Sequence, residues 1–220
     1  MNLGQIRTAA RRKLDEPSPR LWSEDELNQY INQGYMYLWQ ILIDAGNRKS
    51  LKVDSTLGTT ANTREVALPS DFNRVRLLEH LNGSIWYPCK FYERYDTLVT
   101  NSNYADVGSQ LSYAYSIVGD DIILEPTPDE TVLNNLRLTY FYQPDEMTDD
   151  SDVPSIEIIY HEILVSYCCV QAKEKEEMIA GGGADTGPFV ATYSQQLQRF
   201  INNTQLPSQQ RVYAQPFGDY

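Results

Sequence analysis

The sequence predicts an α+β fold: a mostly antiparallel helical bundle with an inserted antiparallel β-rich subdomain and an extended C-terminal arm. Apolar residues recur at helical spacing near both ends of the chain, whereas a two-residue alternation runs from residue 51 to residue 143. Residues 205–220 carry too little apolar surface to fold alone. We therefore expect N-terminal helices at 1–50, a β-rich subdomain at 51–150, C-terminal helices at 151–204 and an arm at 205–220.

Two helices are predicted before residue 50. The first has apolar residues at helical spacing, namely Leu3, Ile6, Ala10 and Leu14. A capping box, Ser23-x-x-Glu26, predicts the start of the second helix. In this motif the Ser oxygen accepts a hydrogen bond from a backbone N–H of the first turn, and the Glu side chain reaches back to the backbone N–H of the cap residue. Its apolar seam continues to Ala45, and Gly46 is typical of a helix end.

The middle of the chain is predicted to form an antiparallel meander, since no helix-length crossover separates most of its strands. A hairpin is predicted where residues 111–118 and 121–124 flank Gly119-Asp120. We also expect a short helix at 92–99 and an exposed loop at 100–108. The other strand candidates are residues 65–69, 74–78, 84–88 and 136–142.

The C-terminal part is predicted to contain two more helices. Pro154 suits the first position of the third helix, whose packing face is expected to include Ile156, Ile159, Ile163, Tyr167 and Val170. Gly181-Gly182-Gly183 forms a predicted joint. The fourth helix is predicted from the spacing of Phe189, Tyr193, Leu197 and Phe200.

Composition and charge restrict the classes of function that the sequence allows. The chain has 220 residues, 41% of them hydrophobic and 22% charged, and its apolar runs are far shorter than the roughly 20 residues of a membrane-spanning helix. The N-terminus lacks the apolar segment of a signal peptide, so we expect synthesis in the cytoplasm. Twelve acidic residues and one basic residue, Arg137, lie between Asp106 and Glu157, which argues against a nucleic-acid grip there.

The candidate chemical groups favour structural roles. His161-Glu162 begins like a zinc-protease motif, but Val165 replaces the second His. We therefore expect His161 to be a half-buried helical residue with a local hydrogen bond. The glycine joint lacks the Lys of a phosphate-binding loop. The three cysteines, Cys89, Cys168 and Cys169, are predicted to pack in the core, and no cofactor and no enzyme activity are expected.

A divalent cation is the main alternative for the predicted hairpin. Asp120, Asp121 and Glu125 supply the oxygen ligands that such a cation prefers. Hairpin turns also favour Asp for backbone reasons alone, and this second explanation is preferred.

Several stretches together resemble the head–tail adaptor (connector) proteins of tailed bacteriophages, the short-tailed type especially. The resemblance spans about residues 9–175. Its motifs are Ala9–Leu14 followed by Leu21-Trp22-Ser23-Glu24-Asp25-Glu26-Leu27, then Leu68-Pro69-Ser70-Asp71-Phe72, Tyr115–Pro126, and Val153-Pro154 into Tyr160-His161-Glu162.

The resemblance implies a structural virion protein at the portal vertex, arranged as a ring, expected in twelve copies, that joins the portal to the tail or nozzle protein. DNA would pass through it without specific binding. The C-terminal arm would dock on the portal through Arg211, Tyr213, Phe217 and Tyr220. The acidic residues expected to face the lumen or the tail are Asp120, Asp121, Asp129 and Glu130.

Two other functions stay open from the sequence. The chain is alternatively another virion subunit, such as a tail-completion or tail-tube protein. A less favoured alternative is a cytosolic module that binds a small ligand through its β-rich part.

Overall fold

A computed structural model describes residues 1–16, 21–93, 95, 112–180 and 186–204. It confirms the mixed α+β class, with four helices and two mostly antiparallel sheets in the described residues. The chain forms two compact units. The helical unit comprises Met1–Ser50 and Pro144–Tyr220, and the β unit comprises Leu51–Gln143.

The helical unit contains four helices, and the first two begin at side-chain caps, Asn2 and Ser23. The four helices are α1 (Leu3–Lys13), α2 (Glu24–Asp44), α3 (His161–Ala180) and α4 (Gly187–Thr204). The Ser23 side chain accepts from the Glu26 amide at 3.2 Å, which confirms the predicted cap. The reciprocal bond of the predicted capping box is absent from the bonds described, and the Glu26 carboxylate instead accepts from Tyr30 and Lys175. Gly46 follows α2 with a positive φ of 67°, as a helix-ending glycine does.

Helix α3 lies against α1, α2 and α4. It is apolar on several sides over its first three turns, where Leu164, Cys168 and Cys169 are fully buried. Gly34 lets α2 approach α3 closely, because a Cβ at this position would lie 2.7 Å from Cδ1 of Tyr167. The helical core therefore depends on one small residue facing one large ring.

The start of α3 differs from the prediction. The chain bends at Ser155 and Ile156 after Pro154, a 3-10 turn covers Ile158–Tyr160, and the α-helix begins at His161. Ile156 and Ile163 are buried, but Ile159 is 68% exposed. The prediction for Ile159 was wrong because the 3-10 turn interrupts the 3.6-residue period on which it relied.

The β unit contains eight strands in its described residues. In chain order they are β1 (Leu51–Asp54), β2 (Glu65–Ala67), β3 (Phe72–Asn82), β4 (Ile85–Pro88), β5 (Lys90–Phe91), β6 (Ala114–Val118), β7 (Asp121–Glu125) and β8 (Leu136–Tyr142). One sheet has the order β1-β8-β3-β4 and the other the order β2-β7-β6-β5. All pairs are antiparallel except β5–β6, which departs from the predicted meander.

The core of the β unit is drawn from both sheets. The β6–β7 hairpin is confirmed, with Gly119 at a φ of +61° in its turn. Alternate residues of β8 point inward, so Leu136, Leu138 and Tyr140 are buried. The other buried members of this cluster are Val66, Leu78, Cys89, Tyr115, Ile122 and Leu124.

Some predictions fall outside the described residues. They include the loop at 100–108, most of the helix at 92–99, the joint at 181–183 and the arm at 205–220. Among the residues that the structure describes, no helix combines the length and apolar content that crossing a membrane requires.

Candidate functional site

The four acidic residues predicted to face a lumen or the tail form two separate pairs. Asp120 is exposed and Asp121 half-buried at the tip of the β6–β7 hairpin. Asp129 and Glu130 are both exposed in the loop that follows β7. The five residues of β7, about 13 Å long at roughly 3.3 Å per residue, lie between the two pairs along the chain. They are therefore two acidic surfaces.

The three oxygen-bearing residues considered for a cation do not converge. Asp121 and Glu125 lie at opposite ends of β7. The Glu125 carboxylate pairs with Arg64, whose Nη1 lies 2.9 Å from Oε2. Among the described residues, no three His, Cys, Asp or Glu side chains are grouped so that they could hold a metal ion. The turn chemistry of the hairpin accounts for the two aspartates.

The loop after β7 also exposes a large aliphatic side chain that was not predicted as a site. Leu133, in the same loop as Asp129 and Glu130, is 80% exposed. The loop is held by paired backbone bonds of 3.0 Å between Thr59 and Val132. Val132, next to Leu133, is 38% exposed, so the loop displays two adjacent aliphatic side chains, a small apolar surface that suits a protein contact. In the sequence, this surface is indicated only by the apolar pair Val132-Leu133, which stands between polar residues.

The helical unit exposes two pairs of consecutive aliphatic residues. Ile158 and Ile159, here the isoleucine patch, are 73% and 68% exposed in the 3-10 turn before α3. Met178 and Ile179, here the Met178 patch, are 84% and 75% exposed near the end of α3. The isoleucine patch comes just before the buried first turns of α3, and the Met178 patch comes just after the charged residues 173–177. They are the strongest candidates for protein contact in this unit.

His161 is a buried structural residue. Its side chain is 2% exposed, and Nε2 lies 3.1 Å from the Ile156 carbonyl oxygen. Nδ1 lies 2.7 Å from the Met1 amino group. Burial lowers the pKa of His161, so the neutral ring is favoured. The predicted local hydrogen bond is confirmed, although the residue is fully rather than half buried.

The adjacent cysteines pack in the core, as predicted. Cys168 and Cys169 are both fully buried, and Cys89 is 8% exposed. Burial raises the pKa of the Cys168 thiol and raises that of Cys169 to about 11. Since the thiolate is the reactive form, these side chains are poor nucleophiles and poor metal ligands.

An open groove of about 610 Å³ runs along α2 beside residues 146–148. Two asparagine side chains that line the groove form hydrogen bonds within the helical unit. Asn32 exchanges two hydrogen bonds with the Met147 backbone, at 2.9 and 3.0 Å, and Asn28 accepts from Arg7 at 3.0 Å. Asn32 thus joins residues 146–148 to α2 and Asn28 joins α1 to α2, so the polar groups of both side chains serve the packing of this unit.

The predicted arm anchors Arg211, Tyr213, Phe217 and Tyr220 lie outside the described residues. They follow α4, which ends at Thr204.

The comparison with protein families gives one match of nearly full length. A model of the SU10 adaptor protein family matches residues 1–217, which include both units. No curated protein matches the chain.

Proposed function

Because this chain belongs to the SU10 adaptor protein family, whose members are structural phage proteins, we propose that it is a head–tail adaptor subunit. In this proposal about twelve copies form a ring between the portal and the tail or nozzle protein of a short-tailed phage. The family match over residues 1–217 carries the proposal. The direct test is size-exclusion chromatography, in which the chain should elute together with purified portal rings.

The helical unit forms the body of the ring in this proposal. Its two aliphatic patches supply apolar contact area on a chain that is otherwise strongly charged, with a net charge of −12. Ring subunits need contacts with their neighbours as well as with other virion proteins. A surface with separate apolar patches suits that requirement.

The two acidic pairs of the β unit receive different roles. Asp120 and Asp121 at the hairpin tip line the DNA passage, where carboxylates repel phosphate and let the genome slide. Asp129 and Glu130 contact the tail protein together with Leu133. The support for this division is that β7 lies between the two pairs and that the loop of the second pair also exposes Leu133.

Charge reversal distinguishes the two acidic pairs. Assembled rings carrying Asp120→Lys and Asp121→Lys should retain double-stranded DNA at low salt and release it as salt rises, because lysines near phosphate displace counterions. Rings carrying Asp129→Lys and Glu130→Lys should instead lose affinity for the tail protein. Fluorescence anisotropy of labelled DNA measures the first effect, and each double variant is the charge-matched control of the other. Equal DNA retention by both would contradict the division.

The arm at 205–220 docks on the portal in this proposal. Three aromatic side chains spaced along it, Tyr213, Phe217 and Tyr220, provide the apolar anchors, and Arg211 provides a charged contact. A segment of this composition gains order mainly by binding a partner. Tyrosine suits such anchors because it combines a large apolar area with a polar group.

Deletion of residues 205–220 should abolish stable portal binding while leaving the helical and β units folded. Replacement of the three aromatic anchors by Ala should have nearly the same effect. The matched control replaces Gln205, Gln209 and Gln215 by Ala and should bind the portal like the unaltered chain. Binding is measured by sedimentation with portal rings. Unchanged sedimentation of the deleted chain would disprove the role of the arm.

A further inference from the structure

The two aliphatic patches lie at opposite ends of the helical unit. Helices α2 and α3 run antiparallel: Glu26 bonds to Lys175, Gly34 lies against Tyr167, and Lys49 pairs with Glu157. The isoleucine patch precedes α3 and the Met178 patch is near its end. At 1.5 Å per residue, the 20 residues of α3 separate them by about 30 Å.

The isoleucine patch is held in a fixed position. Tyr160, next in the chain, packs edge-on against the Phe200 ring with the ring centroids 4.8 Å apart. His161 is buried and bonded to the Ile156 carbonyl oxygen. On the other side, Lys49 pairs with Glu157 at 2.5 Å. A patch fixed by its neighbours loses little conformational entropy when it is covered.

The Met178 patch continues a helix that is tied down almost to its last turn. Lys175 bonds to Glu26 of α2, and within α3 itself Lys173 pairs with Glu176 at 2.6 Å. Met178 and Ile179 follow within one turn and project into solvent. Both patches therefore present two large aliphatic side chains on a supported backbone.

The charges around the patches differ. Near the Met178 patch, the two lysines are already paired, while Glu174 is exposed and Glu177 half-buried. Glu24 and Asp25 are exposed at the same end of α2, and Glu24 Oε2 lies 3.6 Å from Arg7 Nη2. Near the isoleucine patch, exposed Arg48 and Lys49 lie in the turn after α2. The acids there are Asp44, Glu157, which pairs with Lys49, and Glu162, which pairs with Lys13 at 3.5 Å.

These charges bear on what can cover each patch. Two Met178 patches facing each other across a twofold axis would bring like carboxylates together, which is unfavourable. The isoleucine patch offers a similar pair of exposed aliphatic side chains, but fewer carboxylates surround it than surround the Met178 patch. The exposed Arg48 near the isoleucine patch can pair with a carboxylate of the neighbouring copy. Contacts between two different surfaces of identical subunits are the kind that close into rings.

We propose that the isoleucine patch of one copy packs on the Met178 patch of the next copy, so that repeated head-to-tail contacts close the ring. The occupant of each patch is thus a second copy of this chain. This contact deepens the proposed adaptor function and rests on it for the ring, but its own test does not require portal binding.

Introduced cysteines test the contact in the full-length chain. The three native cysteines are buried, so a bismaleimide crosslinker should react mainly with exposed introduced thiols. The variant Ile159→Cys/Met178→Cys should give a covalent ladder of dimers, trimers and larger species. Each single variant alone should give none, and a mixture of the two single variants should give dimers and nothing larger. The control Gln195→Cys/Met178→Cys, with an exposed cysteine in the middle of α4, should give no ladder.

The outcomes separate this inference from the adaptor function. Each crosslinking reaction is run with and without portal rings. Absence of a ladder in both conditions would overturn the head-to-tail contact, as would dimers formed by either single variant alone. If the unaltered chain still elutes with the portal in that case, the adaptor function stands. A ladder in a chain that does not bind the portal would support the contact and contradict the adaptor function.

Discussion

Replacement of Arg11 by Met is expected to lower the free energy of unfolding by about 3–5 kcal/mol, the usual cost of removing one partner of a buried ion pair. The Arg11 and Glu16 side chains are each 7% exposed, with Nη1 and Oε2 3.7 Å apart. Arg11 Nη2 also donates to the Trp22 carbonyl oxygen at 3.0 Å. Without the guanidinium, the buried Glu16 carboxylate loses the cation that lies 3.7 Å from its Oε2. Urea denaturation followed by circular dichroism measures the loss.

Two controls identify the cause of the Arg11 effect. Arg12 is exposed on the same helix, so Arg12→Met should change the unfolding free energy by no more than about 0.5 kcal/mol. The double variant Arg11→Met/Glu16→Gln should recover much of the stability, because it removes both charges. Equal losses for Arg11→Met and Arg12→Met would show that the buried pair contributes little.

Phe200→Ala should also cost about 3–5 kcal/mol, since it removes a fully buried ring and leaves a cavity. Phe200 is 1% exposed and is the residue of α4 that meets the Tyr160 ring. The loss should therefore loosen the turn that carries the isoleucine patch. We expect lower thermal stability and, if the head-to-tail contact exists, a lower yield of the crosslinked ladder.

The neighbouring variant Arg199→Ala is the matched control, because Arg199 is exposed on the same turn of α4. It should leave both the melting temperature and the ladder nearly unchanged. A Phe200→Ala protein as stable as this control would mean that α4 is not held through the aromatic contact.

Local signals predicted the parts of the fold that depend on local chemistry. The Ser23 cap, the glycine after α2 and the Gly119 hairpin follow from hydrogen bonds and dihedral preferences within a few residues. The parallel pairing of β5 with β6 joins segments more than 20 residues apart and has no such local signal. Strand pairing of this kind is decided by the packing of the whole unit.

The candidate contact surfaces were only partly predictable. Asp120 and Asp129 share one acidic stretch of sequence, but strand β7 lies between them and extends about 3.3 Å per residue. Ile159 has the helical spacing of a core residue, and the 3-10 turn exposes it instead. Met178 and Ile179 likewise resemble core residues at the end of a helix. Which apolar residues remain uncovered depends on where each helix begins and on what packs against it.

Electron cryomicroscopy of this chain mixed with its portal protein tests the adaptor assignment most directly. The account predicts a closed ring of these chains on one face of the portal, with neighbouring copies in contact through their helical units and the Asp120–Asp121 hairpin tip at the central opening. Portal particles without added density, or with isolated copies that never close into a ring, would contradict it.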